Sequence, residues 1–343
     1  ATPAHQGYVL ADNHGTRATG RERVSANWEW NSPSGRGDRL TLTGLASFNG
    51  DLLNGRAGYS TVLSSSGWRG EVALGRTEYS LGDAFADLDA VGQATSLDVG
   101  ATYPIRRVTD QTIQFGLSYA HKSLEDEVRS TSTVVPKRSD SLTASLSLRD
   151  EGALWGMDGV TSGSVALTSG RLNIRDAAAR ASDQAAGGAD THGTFSRLAA
   201  QISRTSVLSP DWRLATSFKL QRALGRNLDG SERMGIAGAG GVMAYPSGEL
   251  SGSDAELLRV ELSRNLAPAA GLKHQVSVLL NWGQARETDL SPKRDLSDVA
   301  LGYVAQHRDG WLLKTYVAYR LGDAAVSEKS SRTRWVLQAG WVF

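Results

Sequence analysis

The chain has 343 residues, with 37 basic and 36 acidic side chains and no cysteine. The balanced charge gives no net field that would attract nucleic acid, and the missing thiols exclude a disulfide framework and thiolate metal sites. No apolar run approaches the roughly 18 residues that a spanning helix needs, but transmembrane strands escape this test because they show lipid only every second side chain.

Alternating segments recur along the whole chain. The segments 23–30, RVSANWEW, and 212–220, WRLATSFKL, alternate apolar with polar side chains, and the last ten residues, RWVLQAGWVF, put aromatic side chains on one face. A period of two predicts strands. We predict about sixteen strands of roughly 9–11 residues, an even number as in single-chain bacterial barrels. They begin near Gln6, Arg21, Asp38, Asn54, Gly67, Ala94, Thr112, Ser139, Val160, Thr194, Trp212, Glu256, His274, Asp298, Trp311 and Ser331.

Short and long connections alternate between these strands. The short turns include SSSG, LSPD and RDG, and the predicted long loops are 81–93, 122–138, 170–193 and 226–255. Short turns at one rim and long loops at the other are typical of transmembrane barrels. We therefore predict an all-β fold, a transmembrane antiparallel β-barrel forming one domain over residues 1–343. A soluble β-sandwich is the alternative.

Charged residues occupy inward positions of several predicted strands. They would be costly in a packed core, whereas a water-filled lumen hydrates them. We expect a polar lumen wall with no stable hydrophobic docking site. The candidate pore-lining residues are Arg23, Arg69, Glu71, Arg197, Arg213, Lys219, Arg259, Glu261, Lys314 and Arg320. Salt bridges between strands that only stiffen the wall remain an equal alternative.

Three segments resemble the barrel of the two-partner secretion transporters, the family that exports filamentous haemagglutinins and haemolysins. The run 12–20 resembles that family's first hairpin, and the run 79–107 resembles its next signature. The stretch 242–249, VMAYPSGE, stands where the family carries Val-Arg-Gly-Tyr, often followed by Pro-x-Gly-Glu. The resemblance covers nearly the whole chain. It implies that the loop from about 226 to 255 enters the barrel lumen.

The tip of this loop is the candidate gate. Glycines let its backbone take positive φ, and proline stiffens it. The tip comprises Gly241, Val242, Met243, Ala244, Tyr245 and Pro246, and its docking wall comprises Asn281 and Gly283. Members of the family usually have an Arg at the position of Met243 and an Asp at the position of Asn281, and these two residues are thought to pair. Since losing one partner alone costs about 3–5 kcal/mol when buried, the loss of both favours an apolar or hydrogen-bonded attachment here.

The resemblance implies an outer-membrane translocator of a Gram-negative bacterium, which exports an unfolded partner polypeptide from periplasm to surface through the lumen without nucleotide. We expect no enzymatic activity, cofactor, metal or nucleic acid. The expected partners are the secreted protein, outer-membrane lipid and lipopolysaccharide, and the barrel-assembly machinery, with Trp341 and Phe343 as the assembly signal. We expect a monomer. The family's POTRA domains and plug helix have no counterpart in this sequence, so we expect a barrel portion or a reduced member.

Other functions stay open. A passive diffusion porin or ion channel would use the same scaffold, and a hydrolase at the rim would use Asp190 and His192, which share one long loop. The run GIAGAGG does not fit a dinucleotide-binding pattern. The sequence RGD at 36–38 falls in a predicted periplasmic turn, which favours a turn over an adhesion site.

Overall fold

Sixteen strands close into one antiparallel barrel in a computed structural model that describes residues 3–269 and 271–343. The barrel strands are β1 (His5–Asp12), β2 (Arg23–Asn31), β3 (Arg39–Ser47), β4 (Leu52–Val62), β5 (Arg69–Leu81), β6 (Ala90–Arg107), β7 (Gln111–Val128), β8 (Thr133–Asp150), β9 (Gly159–Ile174), β10 (Gly193–Val207), β11 (Trp212–Ala223), β14 (Asp254–Asn265), β15 (Leu272–Arg286), β16 (Arg294–His307), β17 (Trp311–Arg320) and β18 (Thr333–Val342). A separate small ladder joins β12 (Met234–Gly235) to β13 (Ser251–Gly252). The predicted all-β barrel is confirmed.

The helices are few and short. The α-helix α1 (Ala177–Gln184) follows β9, and three 3₁₀ turns cover Asp83–Leu88, Arg129–Thr131 and Gly230–Glu232. In the described residues, no helix has the length and apolarity needed to cross a bilayer.

The first and last strands close the barrel. Strand β1 pairs with β18 in antiparallel register, and beyond this ladder Gly7 and Phe343 exchange two backbone hydrogen bonds of 2.9 and 3.0 Å. Because the sheet is closed, it leaves no long unpaired edge that would invite aggregation. We call the end of the barrel at which Phe343 lies the terminal rim and the other end the distal rim.

The register separates two faces along every strand. Leu301 and its cross-strand partner Val278 are exposed outward, by 62% and 47%. The neighbouring pair of Asp298 and Asn281 is buried inside, at 1% and 2%. An apolar outer face and a polar inner face are the arrangement that transmembrane strands require.

The strands β6, β7 and β8 are longer than predicted, at 18 residues each. The predicted loop over 122–138 is wrong, because β7 continues to Val128 and β8 begins at Thr133. In this region Leu124 pairs with Lys137. We attribute the error to the loss of an apolar face, since a strand beyond the bilayer meets water on both sides and needs no lipid-facing alternation.

The lumen wall is not polar throughout, so that expectation is wrong. Strands β14 to β18 carry an inward apolar patch, which packs against the connection between β11 and β14. The patch consists of Ala255, Leu257, Leu279, Ala285, Leu296, Ala300, Ala318 and Val336. One or two small or apolar residues in each of five strands do not stand out in any one strand, and only barrel closure places them side by side.

Candidate functional site: the lumen loop and its wall

The connection between β11 and β14, residues 224–253, folds back into the barrel, and we call it the lumen loop. Inward side chains of β7, β8, β10, β11, β14, β16, β17 and β18 contact it. Residues 242–246 of its tip are almost fully buried, with Val242, Ala244 and Tyr245 at 0% exposure. The predicted insertion of this loop into the lumen is therefore confirmed.

Glycine permits the sharp turn that leads into the tip. Gly238 has a φ of +85°, a left-handed conformation that other residues rarely adopt. A Cβ at Gly241 would lie 2.1 Å from the Ile236 carbonyl oxygen. This close approach lets the Val242 amide donate to the same oxygen at 2.8 Å. The glycine-rich run thus serves the backbone geometry of the loop.

Asp298 of β16 holds the tip through the loop backbone. Its Oδ2 accepts a hydrogen bond from the Ala244 amide at 2.7 Å, and its Oδ1 accepts one from Asn281 Nδ2 at 2.7 Å. Asn281 Oδ1 accepts in turn from Arg259 Nε at 3.0 Å, and Arg259 Nη1 donates to the Gly240 carbonyl at 3.3 Å. A carboxylate, an amide and a guanidinium therefore connect the wall to both sides of the tip.

Met243 supplies the apolar part of this attachment. Its side chain is 3% exposed and belongs to the cluster that contains the apolar wall patch. Asp298 accepts from the amide of Ala244, the next residue along the loop, and from Asn281 Nδ2, so the tip and Asn281 are linked through Asp298. The attachment is both apolar and hydrogen-bonded. Hydrogen bonds from N–H groups stabilise the carboxylate here without an arginine at position 243.

Tyr245 ties the tip to the last two strands. Arg334 of β18 donates to the Tyr245 carbonyl oxygen. The Arg320 guanidinium lies 5.6 Å from the centroid of the Tyr245 ring, a cation–π contact of about 0.5–2 kcal/mol. The Tyr245 hydroxyl donates to the carbonyl oxygen of Asp323 at 2.9 Å.

Glu249 forms a second attachment, toward the distal rim. Its carboxylate accepts from the backbone amides of Val326 and Ser327 at 2.9 Å each and from the Ser327 hydroxyl at 2.6 Å. Arg294 Nη2 lies 2.7 Å away. Burial alone would raise the pKa of Glu249, but these hydrogen bonds outweigh it and lower the pKa below its ordinary value. Glu249 therefore joins the lumen loop, as a carboxylate, to the connection between β17 and β18.

The start of the lumen loop is fixed to the opposite wall. Glu232 is buried and contacts Lys122 of β7 at 2.6 Å and Arg197 of β10 at 3.2 Å. Asp229 contacts Lys137 of β8 at 3.3 Å. The lumen loop thus bridges the barrel from β7 to β18 in its distal half.

The predicted pore-lining residues all occupy inward register positions, with different partners. Arg197, Arg259 and Arg320 contact the lumen loop or its attachment network, and Arg23 pairs with Asp12 at 3.0 Å. The rest lie between the loop and the terminal rim: Arg69, Glu71, Arg213, Lys219, Glu261 and Lys314.

An open cavity of about 730 Å³ occupies the lumen on the terminal side of the loop. Residues from β3 through β11 line it, including the predicted Arg69 and Lys219. The strands β3 and β11 are eight places apart among sixteen and lie on opposite sides of the barrel. The cavity therefore crosses the lumen and is not a groove in one wall.

Several residues of this site carry no motif that marks them in the sequence. Asp298, Glu232 and Arg334 hold the loop, and Arg39, Arg107 and Arg149 line the cavity. Glu232 lies in the 3₁₀ turn of the lumen loop, where no strand alternation exists. The other five sit at inward positions of their strands, so alternation was the available signal for them. It could not single them out, because alternation gives the side of the wall and not the partner across the lumen.

Asp190 and His192 face separate structural partners. His192 Nδ1 accepts the Ile174 amide at 3.1 Å, and Asp190 pairs with Arg226 at 2.7 Å. Neither contact is the positioned acid–base pair that hydrolysis needs. In the RGD turn, Asp38 accepts hydrogen bonds from the Ser34 amide at 3.2 Å and from the Tyr59 hydroxyl at 2.9 Å. These contacts are those of a turn-closing residue.

A closed sixteen-strand barrel with a lumen-inserted loop defines an outer-membrane β-barrel transporter. The sequence matches, over residues 2–305, the family described as haemolysin secretion/activation protein ShlB/FhaC/HecB. The chain therefore belongs to this family of two-partner secretion barrel transporters. Because the match covers most of the barrel, the resemblance found in the sequence is confirmed.

The chain is also similar to individual proteins, and the solved structures among them share its fold. The heme/hemopexin transporter protein HuxB of Haemophilus influenzae is 26% identical over 261 residues, which are 76% of this chain and 45% of HuxB. Among solved structures, CdiB from Escherichia coli has a TM-score of 0.83 at 18% identity and covers all of this chain and 64% of its own. BamA from Haemophilus ducreyi has a TM-score of 0.67 at 12% identity, covering 99% of this chain and 70% of its own. The chain thus spans about half the length of the curated relatives it matches.

Proposed function

We propose that this barrel exports an unfolded partner polypeptide from the periplasm to the surface of a Gram-negative bacterium through its lumen, without nucleotide. The observation that carries the proposal is that reversible contacts hold the loop across the barrel. The rest of the lumen is open and contains a cavity of about 730 Å³. Hydrogen bonds, ion pairs and an apolar patch hold the loop. Such contacts can break and re-form without covalent chemistry.

The tip would act as the gate in this proposal. The lumen loop bridges the distal half of the barrel, so in this proposal a polypeptide passes only after the tip leaves the Asp298 network. Folding of the partner outside the cell would keep it from diffusing back, because a folded chain no longer fits the lumen. In this proposal the terminal rim faces the periplasm, Trp341 and Phe343 serve assembly, and the protein acts as a monomer in contact with lipid and lipopolysaccharide.

A disulfide between the loop and the wall tests the gate. A Cβ at Gly283 would lie 3.3 Å from the Ile236 Cβ, close to the roughly 3.5–4.5 Å separation of disulfides. The chain has no native cysteine, so the double variant Ile236→Cys with Gly283→Cys gives a single defined bridge. The two single-cysteine variants are the matched controls.

The readout is the set of proteins exported to the surface and the medium, quantified by mass spectrometry in a strain that depends on this protein. We expect at least one large secreted protein to fall about tenfold when the bridge is oxidised and to recover on reduction. Normal export through a fully oxidised bridge would contradict the proposal. Unchanged export together with an open ion conductance would favour the passive channel instead.

A further inference from the structure

The cavity on the terminal side of the lumen loop is strongly basic. Among the residues that the structure describes, its lining contains no Asp or Glu, and its other members are mainly Ser, Thr, Gln and apolar residues. Five cationic side chains from five different strands reach it: Arg39, Arg69, Arg107, Arg149 and Lys219. The chain as a whole is nearly neutral, so this concentration of positive charge is local.

Three of these five cations have no carboxylate within 4 Å in the described residues: Arg69, Arg107 and Lys219. By contrast, Arg149 pairs with Glu151 at 2.9 Å, and Arg39 lies 3.7 Å from Glu29. Unpaired charges confined within low-dielectric walls focus their field into the lumen. A ligand that carries negative charge would therefore meet a net positive potential there.

The size and hydration of the cavity limit the kind of ligand. Its volume of about 730 Å³ has room for on the order of 20 water molecules at about 30 Å³ each. Arg107, Arg149 and Lys219 are exposed to this space. The charges therefore stay hydrated and mobile, which suits weak, exchanging contacts with an extended chain more than a tight site for one small anion.

We propose that this cavity is a binding site for acidic polypeptide segments, in which Arg69, Arg107 and Lys219 hold carboxylates of the chain in transit. The inference rests on the proposed function only in identifying the ligand as a polypeptide that passes through the barrel. The site would select acidic over basic segments at the terminal side of the loop. It would release them readily, since each hydrated pair contributes little.

Binding of short labelled peptides tests the inference directly. We would measure fluorescence anisotropy of a deca-glutamate and a deca-lysine peptide with the full chain in nanodiscs. We expect deca-glutamate to bind at least tenfold more tightly. Its affinity should fall as the ionic strength rises above about 0.15 M, where the Debye length is about 8 Å. The triple variant Arg69→Gln, Arg107→Gln, Lys219→Gln should lose about tenfold in deca-glutamate affinity.

A matched triple variant controls for net charge. Arg36→Gln, Arg106→Gln and Arg308→Gln remove the same charge from exposed positions outside the cavity lining, and deca-glutamate affinity should stay within twofold. Equal binding of both peptides, equal loss in both triple variants, or full competition by acetate at matched carboxylate concentration would overturn the inference. Specific peptide binding without any effect of the loop disulfide on export would leave this site standing and reject the proposed function.

Discussion

Replacing Asp298 by asparagine should release the loop tip. Both carboxylate oxygens accept hydrogen bonds, from the Ala244 amide and from Asn281 Nδ2, at 2.7 Å each. Asparagine offers one acceptor oxygen, and its NH₂ group would face one of these donors. A hydrogen bond to a charged group is worth about 1.5–3 kcal/mol, so a loss of about 2 kcal/mol raises the undocked population roughly 30-fold.

The assay uses the absence of native cysteine. A single Val242→Cys reporter is buried at 0% exposure while the tip is docked, so its rate of maleimide labelling follows the undocked population. Asp298→Asn should raise this rate roughly 30-fold. The matched control is Asp295→Asn, at an exposed position of the same strand. If the barrel stays folded by heat-modifiable migration and the labelling rate changes less than twofold, the assignment of Asp298 as the docking residue is wrong.

Two further predictions concern the same loop, each with an Ile236→Cys reporter. The pKa of Glu249 in the folded protein is lower than its ordinary value of 4.5. The stabilisation that its carboxylate gives to the docked loop is therefore complete above pH 4.5 and is lost as the pH falls through the lower folded pKa. The labelling rate, divided by that of a fully exposed cysteine at the same pH because only the thiolate reacts, should therefore rise below pH 4.5. Glu249→Gln should label faster at pH 7 without that rise; identical pH profiles would contradict this. Asn281→Asp places two carboxylates together, at a cost on the order of 4 kcal/mol, so labelling should rise at least 100-fold. Adding Met243→Arg to this variant should lower the labelling rate again by tenfold or more. An unchanged labelling rate would refute the charge argument.

The predicted strand order and most strand starts agree with the structure, for a physical reason. A closed membrane barrel must present an apolar face to lipid in every strand, so the alternation appears sixteen times in the sequence. It failed at β7 and β8, where the strands extend beyond the bilayer and Leu124 pairs with Lys137. The lipid constraint no longer applies there, and the sequence resembles a loop.

The candidate site was predicted in part. The tip residues 242–246 and the wall residue Asn281 lie together, but the residue that holds the tip is Asp298, one strand further along. Its inward position was evident from alternation. Its role was not, because Asp298 binds the tip through a backbone amide, a group that nearly every residue carries and no sequence pattern marks.

The sequence by itself determined the class of fold, the sidedness of each strand and the family, because lipid imposes the same local pattern on every strand. Only the tertiary structure decided which inward residues meet across the lumen. The apolar patch of β14 to β18 and the basic cavity of β3 to β11 each collect single side chains from several strands. Closure of the barrel sets those distances, and no stretch of sequence contains them.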